Sequence, residues 1–229
     1  MPADFSIDFL LRDDQPKSKS ETKPEAILEG RSLWKRFHQL GTEMIVTKSG
    51  RRMFPTLQVS FANLNPSLSY SVLVDLESVD DKRYRYSFHQ SKWTATGPGE
   101  AQLPGRSFVH PDSPSLGAHW MRGGISFDKL KLTNNQLDDN GHVIVNSMHR
   151  YRPRVHLVCH SLSDSLHSFS FPETSFIAVT AYQNHRITSL KIESNPFAKG
   201  FRESDLDETT RSSLPLLFPL FSLALPRPS

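Results

Sequence analysis

Bulky apolar residues recur along much of this chain at every second position, the period of a strand with one face against a core. Leu57, Val59 and Phe61 alternate with polar neighbours, as do Tyr70, Val72, Val74 and Leu76, and later Val155, Leu157 and Cys159. Further short strands are expected at 42–47, 108–110, 127–132, 143–145, 169–171 and 176–180. Between 83 and 88, Tyr84, Tyr86 and Phe88 should face one way and Arg83 and Arg85 the other. If residues 150–154 are extended, Arg150, Arg152 and Arg154 share a face. Turn signals separate the runs, among them Ser49-Gly50, Asn65-Pro66, Gly97-Pro98-Gly99 and Asn140-Gly141, where Asn-Gly marks a tight hairpin reversal. Helical spacing is confined to short pieces: Leu33, Trp34 and Phe37, and one turn at 117–122 carrying Trp120. Short strands every ten to fifteen residues or so, with no helices alternating between them, predict an antiparallel β-sandwich rather than βαβ units.

The flanks read differently. Residues 12–30 are rich in Lys, Ser, Glu, Asp and Pro, and residues 204–229 are rich in Leu and Pro. Both are expected to be disordered, which gives a leader at 1–32, a folded domain at 33–203 and a tail at 204–229. Within the leader, Phe5, Ile7, Leu10 and Leu11 form a small apolar patch. On a short helix Ile7, Leu10 and Leu11 would share a face suited to a groove; the plain alternative is a frayed terminus.

Charge adds a direction. The net +3 is unevenly placed, since residues 33–203 hold 20 Lys and Arg against 14 Asp and Glu while the flanks are acidic. A basic excess in the folded part suits a surface that meets phosphate. The single cysteine, Cys159, rules out an intrachain disulfide and a cysteine-based zinc site, and favours a reducing compartment. The first residues are acidic where a signal peptide needs basic ones, and 214–225 is short and broken by Pro215 and Pro219, so no membrane span is expected. No nucleophile elbow, phosphate-binding loop or dinucleotide fingerprint occurs, and His149, His156, His160 and His167 lack zinc-ligand spacing. Catalytic residues, cofactor and metal are therefore not expected.

One stretch concentrates the remaining chemistry. Residues 182–202 hold Arg186, Lys191, Lys199 and Arg202 against Glu193, with Pro196, Phe197 and Phe201 among the cations. Cations interleaved with aromatics suit a polyanion that also offers flat apolar faces. A solvated basic helix with two core phenylalanines is the competing reading of this segment.

Long motifs decide between them. L-W-K-R-F-H-Q-L-G-T-E-M-I-V-T-K-S-G-R-R-M-F-P (33–55), V-H-P-D-S-P (109–114), F-D-K-L-K-L-T-N-N (127–135), F-P-E-T-S-F-I-A-V-T-A-Y-Q-N (171–184) and N-P-F-A-K-G-F-R (195–202) resemble the DNA-binding domain of the T-box transcription factors. The resemblance implies an immunoglobulin-like β-sandwich, mainly β, with short C-terminal helices. It implies double-stranded DNA as partner, a half-site of the GGTGTGA type, often duplicated as a palindrome that two copies share, and a nuclear location. By the same resemblance Arg51, with Arg52 beside it, enters the major groove to read guanine, and Thr188 and Lys191 bind phosphate. Phe197 and Phe201 enter the minor groove, with Pro196 and Arg202 on the same contact surface. The patch of Phe5, Ile7, Leu10 and Leu11 resembles the engrailed-homology motif that binds Groucho-type co-repressors, which implies a developmental repressor. An activator, or a DNA-binding form without an effector region, remains the alternative.

Overall fold

The computed structural model describes residues 23–101, 105–161 and 165–195. The chain divides into two compact units, Met1–Leu190 and Lys191–Ser229.

The first unit begins with strand β1 (Glu25–Leu28), followed by helix α1 (Arg31–Leu40). Then come β2 (Glu43–Ile45), β3 (Arg51–Arg52), β4 (Gln58–Ala62), the long β5 (Ser69–Ser87) and β6 (Lys92–Pro98). Short pieces follow: β7 (Phe108–Val109), β8 (Ser115–Leu116), helix α2 (Gly117–Trp120), β9 (Ile125–Ser126), β10 (Lys131–Thr133) and β11 (Val143–Ile144). β12 (His149–His160), β13 (Ser165–Ser170) and β14 (Phe176–Val179) complete the strands, and helix α3 (His185–Ser194) runs on into the second unit.

The main sheet runs β2-β14-β12-β5-β6, with β13 on β12 and β7 and β8 on β5; β1-β4-β9 and β11-β10-β3 form two smaller sheets. Val72 and Val74 on β5 and Val155 and Leu157 on β12 point into one core with Val59 and Phe61 on β4 and Leu28 on β1. Phe61 meets Phe169 on β13 with ring centroids 6.0 Å apart. Two sheets closing on side chains of period two make the expected β-sandwich. A second apolar cluster joins Phe37 of α1 to Ile187 and Leu190 of α3, with Phe54 and Tyr182 against it.

Four expectations are corrected. Residues 25–28, read as part of a disordered leader, form β1, because the main chain of 25–28 pairs with 59–62 of β4 and Leu28 is buried. Alternation over four residues inside a polar stretch was too faint a signal. The two runs around Tyr70 and Tyr84 are one strand, bent where residues 79–82 bulge out of register with β12. Asp80 organises that bulge, accepting hydrogen bonds from the Lys82 amide (3.1 Å) and the Tyr84 hydroxyl (2.6 Å). The expected strand 127–132 is broken by a turn in which the Leu130 amide reaches the Phe127 carbonyl (3.1 Å). Finally, Asn140-Gly141 closes no hairpin, since β10 and β11 run parallel. Phe88 lies just past the end of β5 and is 63% exposed, with its ring 5.2 Å from that of Tyr86.

Candidate nucleic-acid interface

Arg51 and Arg52 constitute β3, and both side chains are exposed. The turn before them is fixed from two sides. Thr133, fully buried on β10, donates its hydroxyl hydrogen to the Thr47 carbonyl (2.9 Å), with the Lys48 carbonyl at 3.2 Å. Gly50 has φ +79, and a Cβ there would lie 2.7 Å from Nδ1 of His142. Only glycine suits that backbone and that approach.

His142 is itself anchored. Its Nδ1–H donates to Oδ1 of Asp138 (2.8 Å) and its amide to Oδ2 (3.0 Å). Arg106 adds an ion pair to the same carboxylate (3.1 Å) and a hydrogen bond to the Asp138 carbonyl (2.6 Å). The Asp138 side chain is wholly buried, which by itself raises its pKa, yet the His142 amide, the Asn140 amide and the His142 ring hold it below the ordinary value. The loop 134–142 is thus a buttress behind the arginine turn.

A second support sets the start of α3. Glu43 of β2 is buried, and its carboxylate accepts the amides of Gln183 (2.8 Å) and Asn184 (3.1 Å) and the indole N–H of Trp93 (3.1 Å). Burial pushes the carboxyl up against the pull of those donors. Asn184 caps the helix through Oδ1, which accepts the Arg186 amide (3.0 Å), while its Nδ2 reaches the Leu40 carbonyl (2.9 Å). Burial lifts the Tyr182 phenol to about 12, partly offset by the nearby Arg51 guanidinium. Glu43 has no role assignable from sequence, where an acidic residue in an apolar strand is the available signal; Asp138 draws notice there only within Asp138-Asp139-Asn140-Gly141, a stretch read as a turn rather than a calcium loop.

Thr188 and Lys191 both fall within α3, three positions apart, Thr188 half-buried in the first unit and Lys191 opening the second. Pro196, Phe197, Phe201 and Arg202 lie outside the described residues, as do Phe5, Ile7, Leu10 and Leu11 and the tail.

Other cation clusters are committed elsewhere. Arg152 pairs with Glu77 (2.6 Å) and Arg154 with Asp75 (2.6 Å), across the β12–β5 ladder. Arg150 stacks 4.4 Å above the Tyr84 ring, and Arg83 pairs with Glu100. The row of three arginines is a sheet-stabilising face. Among the described residues no group of three His, Cys, Asp or Glu is placed to hold a metal, and no helix is long and apolar enough to cross a membrane.

The T-box family model matches residues 26–203, a span that takes in both the arginine turn and α3. The chain belongs to the T-box family. The T-box transcription factor mls-1 of Caenorhabditis elegans is 59% identical, over 97% of this chain and 96% of its own length. The human T-box transcription factor TBX10 is 56% identical over 88% of this chain but 54% of its own length, and TBX1 of Danio rerio is 57% identical over 82% and 43%. The chain therefore spans nearly all of one curated relative and about half of the others. These relatives are transcription factors by name. A T-box match from residue 26 takes in all but the first residue of β1, which lies ahead of the expected domain boundary at 33.

Proposed function

We propose that this T-box protein is a nuclear transcription factor that binds double-stranded DNA at a GGTGTGA-type half-site and regulates RNA polymerase II transcription. The observation that carries this reading is the contrast among the arginines. Those of β12 are spent on Asp75, Glu77 and Tyr84, while Arg51 and Arg52 stand exposed on a turn braced by Thr133 and His142. Bracing an arginine costs a surface its freedom but fixes the fork for bidentate contact to guanine O6 and N7. Thr188 and Lys191 hold phosphate, and Pro196, Phe197, Phe201 and Arg202 supply the minor-groove contact. The DNA-binding domain runs from residue 25, rather than 33, to about 203. Selection from random duplexes tests this: a GGTGTGA-type core should be enriched, with paired half-sites appearing if two copies share a palindrome. A pool without any enriched core would overturn the proposal.

Repression through Phe5, Ile7, Leu10 and Leu11 is a separate step, supported by their spacing on a helical face. Phe5→Glu should abolish Groucho-type co-repressor pull-down and reporter repression while leaving duplex binding intact. Unchanged repression would favour an activator or a form that only occupies sites.

A further inference from the structure

The antiparallel register of β3 and β10 makes Lys131 the direct partner of Arg52. Residues so paired leave the same face of the ladder with Cβ atoms about 5 Å apart, and like charges there repel. On β12 two arginines face carboxylates across the ladder: Arg152 lies across from Glu77 and Arg154 from Asp75. Arg52 and Lys131 face each other instead, with no carboxylate partner for either among the described residues. The pair is not free to splay apart at its base. Leu132, the next residue, is wholly buried, and Thr133 beyond it holds the Thr47–Lys48 turn. Lys131 is half-buried and Arg52 is exposed. An anion placed between two such cations converts a repulsive pair into two attractive contacts.

We infer that Arg52 and Lys131 form a two-cation clamp on one DNA backbone phosphate, next to the base that Arg51 contacts. Lys131 is thereby a phosphate-binding residue that sets the height at which the Arg51 turn meets the groove. This rests on the DNA-binding reading above. An oxygen-rich phosphate accepts from both side chains at once, and the contact carries no sequence information of its own.

The test is a salt titration of the whole chain and its Lys131→Gln and Lys131→Arg variants on a GGTGTGA duplex and a scrambled duplex. Lys131→Gln should lower the slope of log affinity against log salt by about 0.9 on both duplexes, so that its deficit shrinks about three-fold between 50 and 200 mM salt. Lys131→Arg should restore the wild-type slope. Without DNA, Lys131→Gln should unfold at the same temperature as wild type or higher, because a repulsion has been removed. An unchanged slope, a loss confined to the GGTGTGA duplex, or a lower unfolding temperature without DNA would each overturn the clamp. Wild-type protein that fails to separate the two duplexes would instead overturn the DNA-recognition reading itself.

Discussion

The ring of His142 occupies the space that a side chain on Gly50 would need, 2.7 Å from an ideal Cβ. The residue that leads into Arg51 therefore has to be glycine on two counts, its φ of +79 and this approach. Gly50→Ala should cost about 1–3 kcal/mol of stability and, by moving Arg51, reduce preference for the GGTGTGA duplex. Gly141→Ala is the control: its φ is +74 but nothing lies within 4 Å. It should cost only about 1–2 kcal/mol and leave duplex preference unchanged. Urea denaturation and gel-shift titration of both variants check the pair, and equal effects on DNA preference would contradict the buttress.

Asp138 makes the buttress pH-dependent. Burial raises its carboxyl, but the hydrogen bonds from His142 and Asn140 win and leave it below the ordinary 3.8. A folded-state pKa below the unfolded one gives stability that is complete above 3.8 and lost as pH falls through the lower folded value. Asp138→Asn should thus be less stable than wild type at neutral pH, with the two curves converging in strong acid. Urea midpoints across the acid range measure this; a gap that widens towards acid would have the wrong sign.

Glu43 ties β2 to the first turn of α3. Glu43→Ala leaves the amides of Gln183 and Asn184 and the Trp93 indole without their acceptor, which should cost about 2–4 kcal/mol. Binding to cognate and scrambled duplexes should weaken together, since the disturbed element carries Thr188 and Lys191. Hydrogen exchange at the α3 amides is the sensitive readout, and protection equal to wild type would sink the assignment.

Arg154 offers the opposite expectation. Its guanidinium bonds Asp75 at 3.0 and 2.6 Å. Arg154→Ala should cost roughly 1–2 kcal/mol of stability and leave the salt slope of DNA binding untouched. A slope reduced by about one would return this arginine to the interface.

The β-sandwich was legible because period-two alternation survives wherever one face of a strand is buried, as at Val72 and Val74 or Val155 and Leu157. What alternation cannot carry is strand direction, so the parallel pairing of β10 with β11 was hidden behind an Asn-Gly that resembles a hairpin turn. Arg51 and Thr133 both lie in family motifs, but the motifs do not show that one braces the other. Thr133 and His142 reach the turn across 80 or more residues of intervening sequence, through hydrogen bonds and one ring contact, while Asp138 holds His142 from four residues away; none of this leaves a periodic trace. The row of Arg150, Arg152 and Arg154 was visible in sequence as cations on one face, but the carboxylates opposite Arg152 and Arg154 come from β5, over 70 residues away.

The central claim is that Arg51, exposed on a braced turn, reads a base. A competitive gel-shift titration of wild type and Arg51→Ala on GGTGTGA and scrambled duplexes tests it most directly. Wild type should prefer the GGTGTGA duplex, and Arg51→Ala should lose about 1–3 kcal/mol on it while scrambled binding changes far less. Equal wild-type affinity for the two duplexes, or an Arg51→Ala loss of the same size on both, would contradict it.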